Sequence, residues 1–161
     1  MSDNYEALSD RERDALVAER IMGWRWRQRV NDASVFLLPP NRTDTDNGQF
    51  VTVGDMEDPK RDPTDHDRQY AQWSTGLPNY STDDNAARLV RNKIAELRMD
   101  AIRAYQSELA QLVWPNGTPS TLLKGADHFA FSLQHATPRL QMIAALRAYD
   151  QLRAKESTNG R

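Results

Sequence analysis

Three helix-start signatures divide the chain and leave it few ways to fold. Ser9-Asp10-Arg11-Glu12 is a capping box: the Ser hydroxyl can take the amide three residues on, while the Glu carboxylate reaches back to the Ser amide. Val17, Ile21 and Trp24 follow at helical spacing and Gly23 is a natural stop, which predicts a helix over 10–22. The second start is Pro78-Asn79-Tyr80-Ser81-Thr82-Asp83-Asp84, with Ser81 as cap and two carboxylates placed against the positive end of the dipole. From there Leu89/Val90, Ile94, Leu97, Ala101/Ile102, Tyr105, Leu109 and Leu112 keep a helical seam with no Gly or Pro until Pro115. That predicts one helix over 82–113, about 30 residues and about 45 Å long at 1.5 Å per residue. A helix longer than a small domain is wide must bend or touch another subunit, so this element is the expected route to a homo-oligomer. The third start is Thr137-Pro138, Thr as cap and Pro at the first helical position. Leu140, Met142, Ile143, Ala144, Ala145 and Leu146 then predict a helix buried on most sides, with a tail from Arg153 that frays into solvent.

Between these helices the period changes to alternation. Trp24 to Val30 would place Trp24 and Trp26 on one strand face and Arg25, Arg27 and Arg29 on the other. Val35-Phe36-Leu37-Leu38, closed by Pro39-Pro40, and Gln49 to Val53 read as a hairpin across a long loop. His128 to Gln134 alternates with Phe129, Phe131 and Leu133 inward, a further strand. Residues 55–80 are rich in Asp and Pro, and a loop this long suggests either function or disorder. The expected architecture is α/β: an α-β-α sandwich in which a small, mainly antiparallel sheet (34–38, 49–53, 128–134, with 24–30 as a further strand) is covered by three helices. It forms one domain over 9–154, with flexible tails at 1–8 and 155–161.

Composition narrows the chemistry. A net charge of −2 gives no general pull toward nucleic acid or anionic membrane. With no cysteine among the 161 residues, disulfides, thiolate catalysis and Cys-based metal centres are excluded. The acidic start Met1 to Glu6 lacks an apolar signal core, and no apolar run approaches the roughly 20 residues of a membrane helix. A soluble protein of the cytoplasm is the expectation.

Leu16-Val17-Ala18-Glu19-Arg20-Ile21-Met22-Gly23-Trp24, Tyr80-Ser81-Thr82-Asp83 and Thr137-Pro138 occur in that order. In these blocks the chain resembles the phage ABA-sandwich domain family, small proteins of tailed phages with helix/sheet/helix layering. Where that family typically carries an aromatic in its second helix, this chain has Ala86-Ala87-Arg88. The resemblance implies a phage accessory protein in the host cytoplasm that acts by binding, and it brings no catalytic residue and no cofactor. Its expected target is a host protein or a small anionic, nucleotide-like host molecule. An oligomeric assembly component and a nucleotide-directed hydrolase are the alternatives.

Candidate chemistry is sparse. His135-Ala136-Thr137 matches the His-x-Thr element of two-histidine phosphoesterases, but that mechanism needs two such elements and no second copy exists. Asp44 to Gly48 has Gly one place early for a calcium loop and is followed by a strand rather than a helix. Asp62, Asp65, His66 and Asp67 offer hard-ion ligands without a partner at ligand spacing, so no metal site is assigned. The better signal is basic. Arg25, Arg27 and Arg29, walled by Trp24 and Trp26 and facing the helix starts at Ser81, Thr82 and Thr137, would make an anion pocket. The competing role for the arginines is to guard an exposed edge strand.

Overall fold

The structure, a computed structural model, describes residues 4–28, 35–40, 76–117, 131–133 and 135–159. The capping box at Ser9 forms: Ser9 Oγ accepts the Glu12 amide at 3.3 Å, and Glu12 Oε2 accepts the Ser9 amide at 2.8 Å. Helix α1 runs Asp10–Arg20. Gly23, at φ +75°, turns the chain so that the Trp24 amide reaches back to the Ala18 carbonyl at 2.9 Å.

Strands β1 (Arg25–Gln28) and β2 (Val35–Leu38) pair antiparallel, with Arg25 opposite Leu38, Trp26 opposite Leu37 and Arg27 opposite Phe36. Trp24, Trp26 and Leu37 enter the main core. Phe36 and Leu38 are buried as well, so β2 is covered on both faces. The described part of the chain is mostly helical with this one two-stranded sheet, an arrangement compatible with an α/β fold.

The seam over 82–113 is not one helix. It forms α2 (Asp84–Ala95) and α3 (Met99–Val113), parted at residues 96–98 without Gly or Pro. The last turn of α2 tightens, with the Leu97 amide on the Ile94 carbonyl at 3.0 Å, and Arg98 turns extended at ψ 157°. Packing explains the break. Ala86, Ala87, Val90 and Ile94 on one side, and Ala101, Tyr105 and Leu109 on the other, are all buried. A straight rod would carry one end of that seam off the core. Leu97, at the corner, is left 48% exposed. The two helices are about 18 and 22 Å long, so the length that suggested subunit contact is divided.

Two further expectations are corrected. The cap of α2 is Asp83, whose Oδ1 accepts the Asn85 amide at 2.8 Å and the Ala86 amide at 3.4 Å. Ser81 is held instead by α1, its amide donating to Asp14 Oδ1 at 2.7 Å. Residues 131–133 are a helical turn rather than strand, tied by the His135 amide to the Phe131 carbonyl at 3.2 Å. Leu133 is buried there but Phe131 is 61% exposed, against its expected place in the core. The expected strand at 49–53, the larger part of the 55–80 loop, and the Asp44–Gly48 and Asp62–Asp67 motifs lie outside the described residues.

Helix α4 (Pro138–Asn159) is the shared wall. Thr137 caps it as expected, its Oγ1 accepting the Leu140 amide at 3.4 Å. Gln141 to Leu146 are six consecutive buried residues, which a helix can offer only when it is covered all round. Helices α1, α2 and α3 supply that cover.

Candidate functional site

The residues expected to form an anion pocket are placed as follows. Trp24 and Trp26 are core side chains, and Trp26 Nε1 is buried without a partner among the described residues. Arg25 is exposed on β1, Arg27 stands in β1 opposite Phe36, and Arg29 lies outside the described residues. The Ser81 amide is taken by Asp14, Thr82 is exposed, and Thr137 serves its own helix. His135 contacts Phe131, its Nδ1 2.8 Å from the Phe131 carbonyl oxygen and its ring 4.0 Å from the Phe131 ring. None of those whose side chains are described lines the recess between the two helices of the 84–113 segment.

That recess, of about 490 Å³, lies between α2 and α3. Arg88, Arg91/Asn92 and Ala95 recur at spacing three to four on α2, which sets them along one stripe beside its buried face. From α3 come Ile102 and Tyr105/Gln106, again one turn apart. A continuous helix would string these residues along a rod. The break at 96–98 lets the two stripes enclose a shared space, with Ile94 and Ile102 as apolar wall.

Among the described lining residues there are two arginines and no carboxylate. Arg88 is exposed and makes no ion pair among the described residues. Tyr105 is 8% exposed, and its hydroxyl is buried with no hydrogen-bond partner among the described residues. A buried unsatisfied polar group typically costs about 1–3 kcal/mol. Burial pushes the Tyr105 pKa up to about 12, opposed by the positive charge of Arg91, so at neutral pH the group is a phenol able to donate. The effect of Arg91 also puts the hydroxyl within electrostatic reach of that guanidinium. An orphan donor in a wall shared with two guanidinium groups is the arrangement a bound acceptor would complete.

The seam residues Ile94, Ile102 and Tyr105 are legible in the sequence as core, and their role in a cavity is not, because the cavity exists only once the helix is broken. A second, apolar recess of about 140 Å³ lies near Ile21, Leu97, Ala145 and Leu152, and it too touches Ile94. Among the described residues no cluster of three or more His, Cys, Asp or Glu could hold a metal ion. None of the described helices is long and apolar enough to cross a membrane. No family model, no curated protein and no solved structure matches this chain.

Proposed function

We propose that this protein is a phage accessory factor of the ABA-sandwich type that acts by binding without catalysis, sequestering a small anionic, nucleotide-like host molecule to antagonise host defence. The α2–α3 recess is the binding site, and the observation that carries this reading is the orphan Tyr105 hydroxyl beside Arg88 and Arg91. Among the described lining residues, Arg88 is an exposed cation and none is a carboxylate, which favours an anion, and a recess of about 490 Å³ suits a small organic ligand. Binding is favoured over hydrolysis because the described lining offers no histidine or carboxylate as general base, and a phenol with its pKa near 12 is a weak nucleophile. The phage role and the finer α-β-α layering rest on the three sequence blocks.

Thermal denaturation against a nucleotide panel tests the reading. A ligand at a hundredfold excess over its Kd should stabilise the fold by about 2.7 kcal/mol. Arg88→Gln should weaken that response while leaving the free protein's stability nearly unchanged, since exposed charges contribute little. The ligand should be recovered chemically unchanged from denatured complex. Absence of any response across the panel, or recovery of hydrolysed ligand, would overturn the proposal.

A further inference from the structure

The corner between α2 and α3 forms a second surface, independent of the recess proposed to bind a ligand. Residues of the corner face the last turns of α4 across a groove of about 850 Å³. The apolar recess of about 140 Å³ beside Ile21 adjoins it, since Leu97, Ala101, Tyr149 and Leu152 line both. A knob stands next to this hole. Met99 lies between the lining residues Arg98 and Asp100 and is 63% exposed, and Leu97 at the same corner is 48% exposed. Methionine is unbranched and fills irregular apolar gaps well. A knob and a hole side by side on one surface suit a two-fold axis, because each copy's knob then meets the other copy's hole. The charges match in the same way. The corner wall carries Glu96 and Asp100 with Arg98, and the α4 wall carries Arg153 and Lys155 with Glu156, an excess of one negative charge against an excess of one positive. Within one copy no ion pair crosses the groove among the described residues. Glu96 pairs with Lys93 at 3.1 Å and Asp100 with Arg98 at 3.6 Å, both at the surface, while Arg153 and Lys155 are exposed and pair with nothing among the described residues.

We infer that this face is the contact between two copies of the chain. About a two-fold axis, Met99 of one copy enters the apolar hole at Leu97, Ala101 and Leu152 of the other. The corner carboxylates of each copy meet Arg153 and Lys155 of the other, so every contact is made twice. An unrelated partner would require no match between the two walls of the groove. Fit of knob to hole and of acid to base within one patch selects a second copy. The break at 96–98, which carries no stop signal of its own, makes both the knob and one wall of the hole.

Sedimentation velocity of the full chain tests this at concentrations up to about 100 µM, a range that covers the weak end of specific interfaces. Wild type should pass from one chain of 18.4 kDa to two copies and stop there. Met99→Glu should weaken the dimer about tenfold or more, as for an anchor side chain lost from its pocket. Charge exchange tests the two-fold arrangement itself. Glu96→Lys with Asp100→Asn makes the corner basic, and Arg153→Glu with Lys155→Glu makes the α4 wall acidic. Each of these double variants alone then sets like charges against like at both contacts and should dimerise poorly. An equal mixture of the two should recover the dimer, because each corner again meets a wall of opposite sign. All the altered residues are exposed, so far-UV ellipticity and the urea midpoint of the monomers should stay close to wild type. Wild type that remains a monomer at every concentration would overturn the inference. So would a mass that climbs beyond two copies, a dimer indifferent to Met99→Glu, or a mixture that fails to recover association.

Discussion

Arg13 and Asp14 are neighbours on α1, both buried, and they hold different parts of the chain. Arg13 is fully covered and spends its donors on the Tyr5 carbonyl at 3.1–3.2 Å, the Leu8 carbonyl at 2.6 Å and Asp10 Oδ1 at 2.6 Å. Asp14 accepts from the Ser81 amide at 2.7 Å and from Arg11 at 3.3 Å. Arg11 also donates to Asn79 Oδ1 and the Leu77 carbonyl, so the 77–81 segment is sewn to the first turns of α1. Burial raises the Asp14 pKa above 3.8, while the Ser81 hydroxyl and amide and the charge of Arg11 pull it down, and Asp10 adds a smaller upward push. The Ser81 hydroxyl thus lies close enough to act on the carboxylate without meeting it in hydrogen-bonding geometry. Because the folded state holds this proton more tightly, the associated stability is full below 3.8 and is lost as pH rises through the folded value. Asp14→Asn keeps an acceptor for the Ser81 amide and removes the titration. Urea denaturation at successive pH values from neutral down toward 3.8 should therefore show wild type gaining on the variant. A wild type that loses ground on acidification would mean that the Arg11 pairing governs the site. Nothing in the local spacing of Asp10, Arg11, Arg13 and Asp14 distinguishes the buried pair, whose backbone partners lie five, eight and 67 residues away.

Helix starts are local chemistry, which is why they read well. Ser9 and Thr137 cap as their sequences dictate, since the capping oxygen needs only amides two or three residues on. The α2 cap is Asp83 and not Ser81, because the helix begins only at Asp84, while the Ser81 amide is bound to Asp14, distant in sequence. Asp83→Ala should accordingly cost about 1 kcal/mol, the usual effect of losing such a cap. At 131–133, the described part of the 128–134 alternation, the expectation of strand misled for a related reason: spacing this short also occurs in a helical turn, and only tertiary packing decides between them. Leu133 is buried and Phe131 is not, so Phe131→Ala should change stability by no more than about 0.5 kcal/mol, as for an ordinary surface position. A loss of several kcal/mol in urea titration would restore Phe131 to the core. The break at 96–98 was beyond local reading, because Glu96, Leu97 and Arg98 carry no stop signal.

Across the whole molecule α4 joins what the other elements build. Met142, Ile143 and Leu146 sit in one cluster with Val17 of α1, Val90 and Ile94 of α2, Leu109 of α3, and Trp24, Trp26 and Leu37 around the hairpin. Apolar composition made the burial of α4 legible, but its place as the common wall depends on α2 and α3 folding back separately. That same folding back makes the recess, so the candidate site and the core share one cause. Ile94 belongs to both, in the cluster with Leu146 and in the wall beside Tyr105. Leu146→Ala should cost about 2–5 kcal/mol, the transfer of a buried leucine plus the cavity left behind. If the cluster is a single cooperative unit, the loss must move two signals together. These are helical ellipticity, to which α4 contributes most residues of any described element, and fluorescence from the buried Trp24 and Trp26, read in a background with Trp73 and Trp114 replaced by Phe. Urea transitions followed by both probes should shift equally in the variant and remain superimposed. If fluorescence keeps its midpoint while ellipticity shifts, the hairpin is a separate unit. Core mutations in α4 would then disturb the α2–α3 recess without touching the sheet.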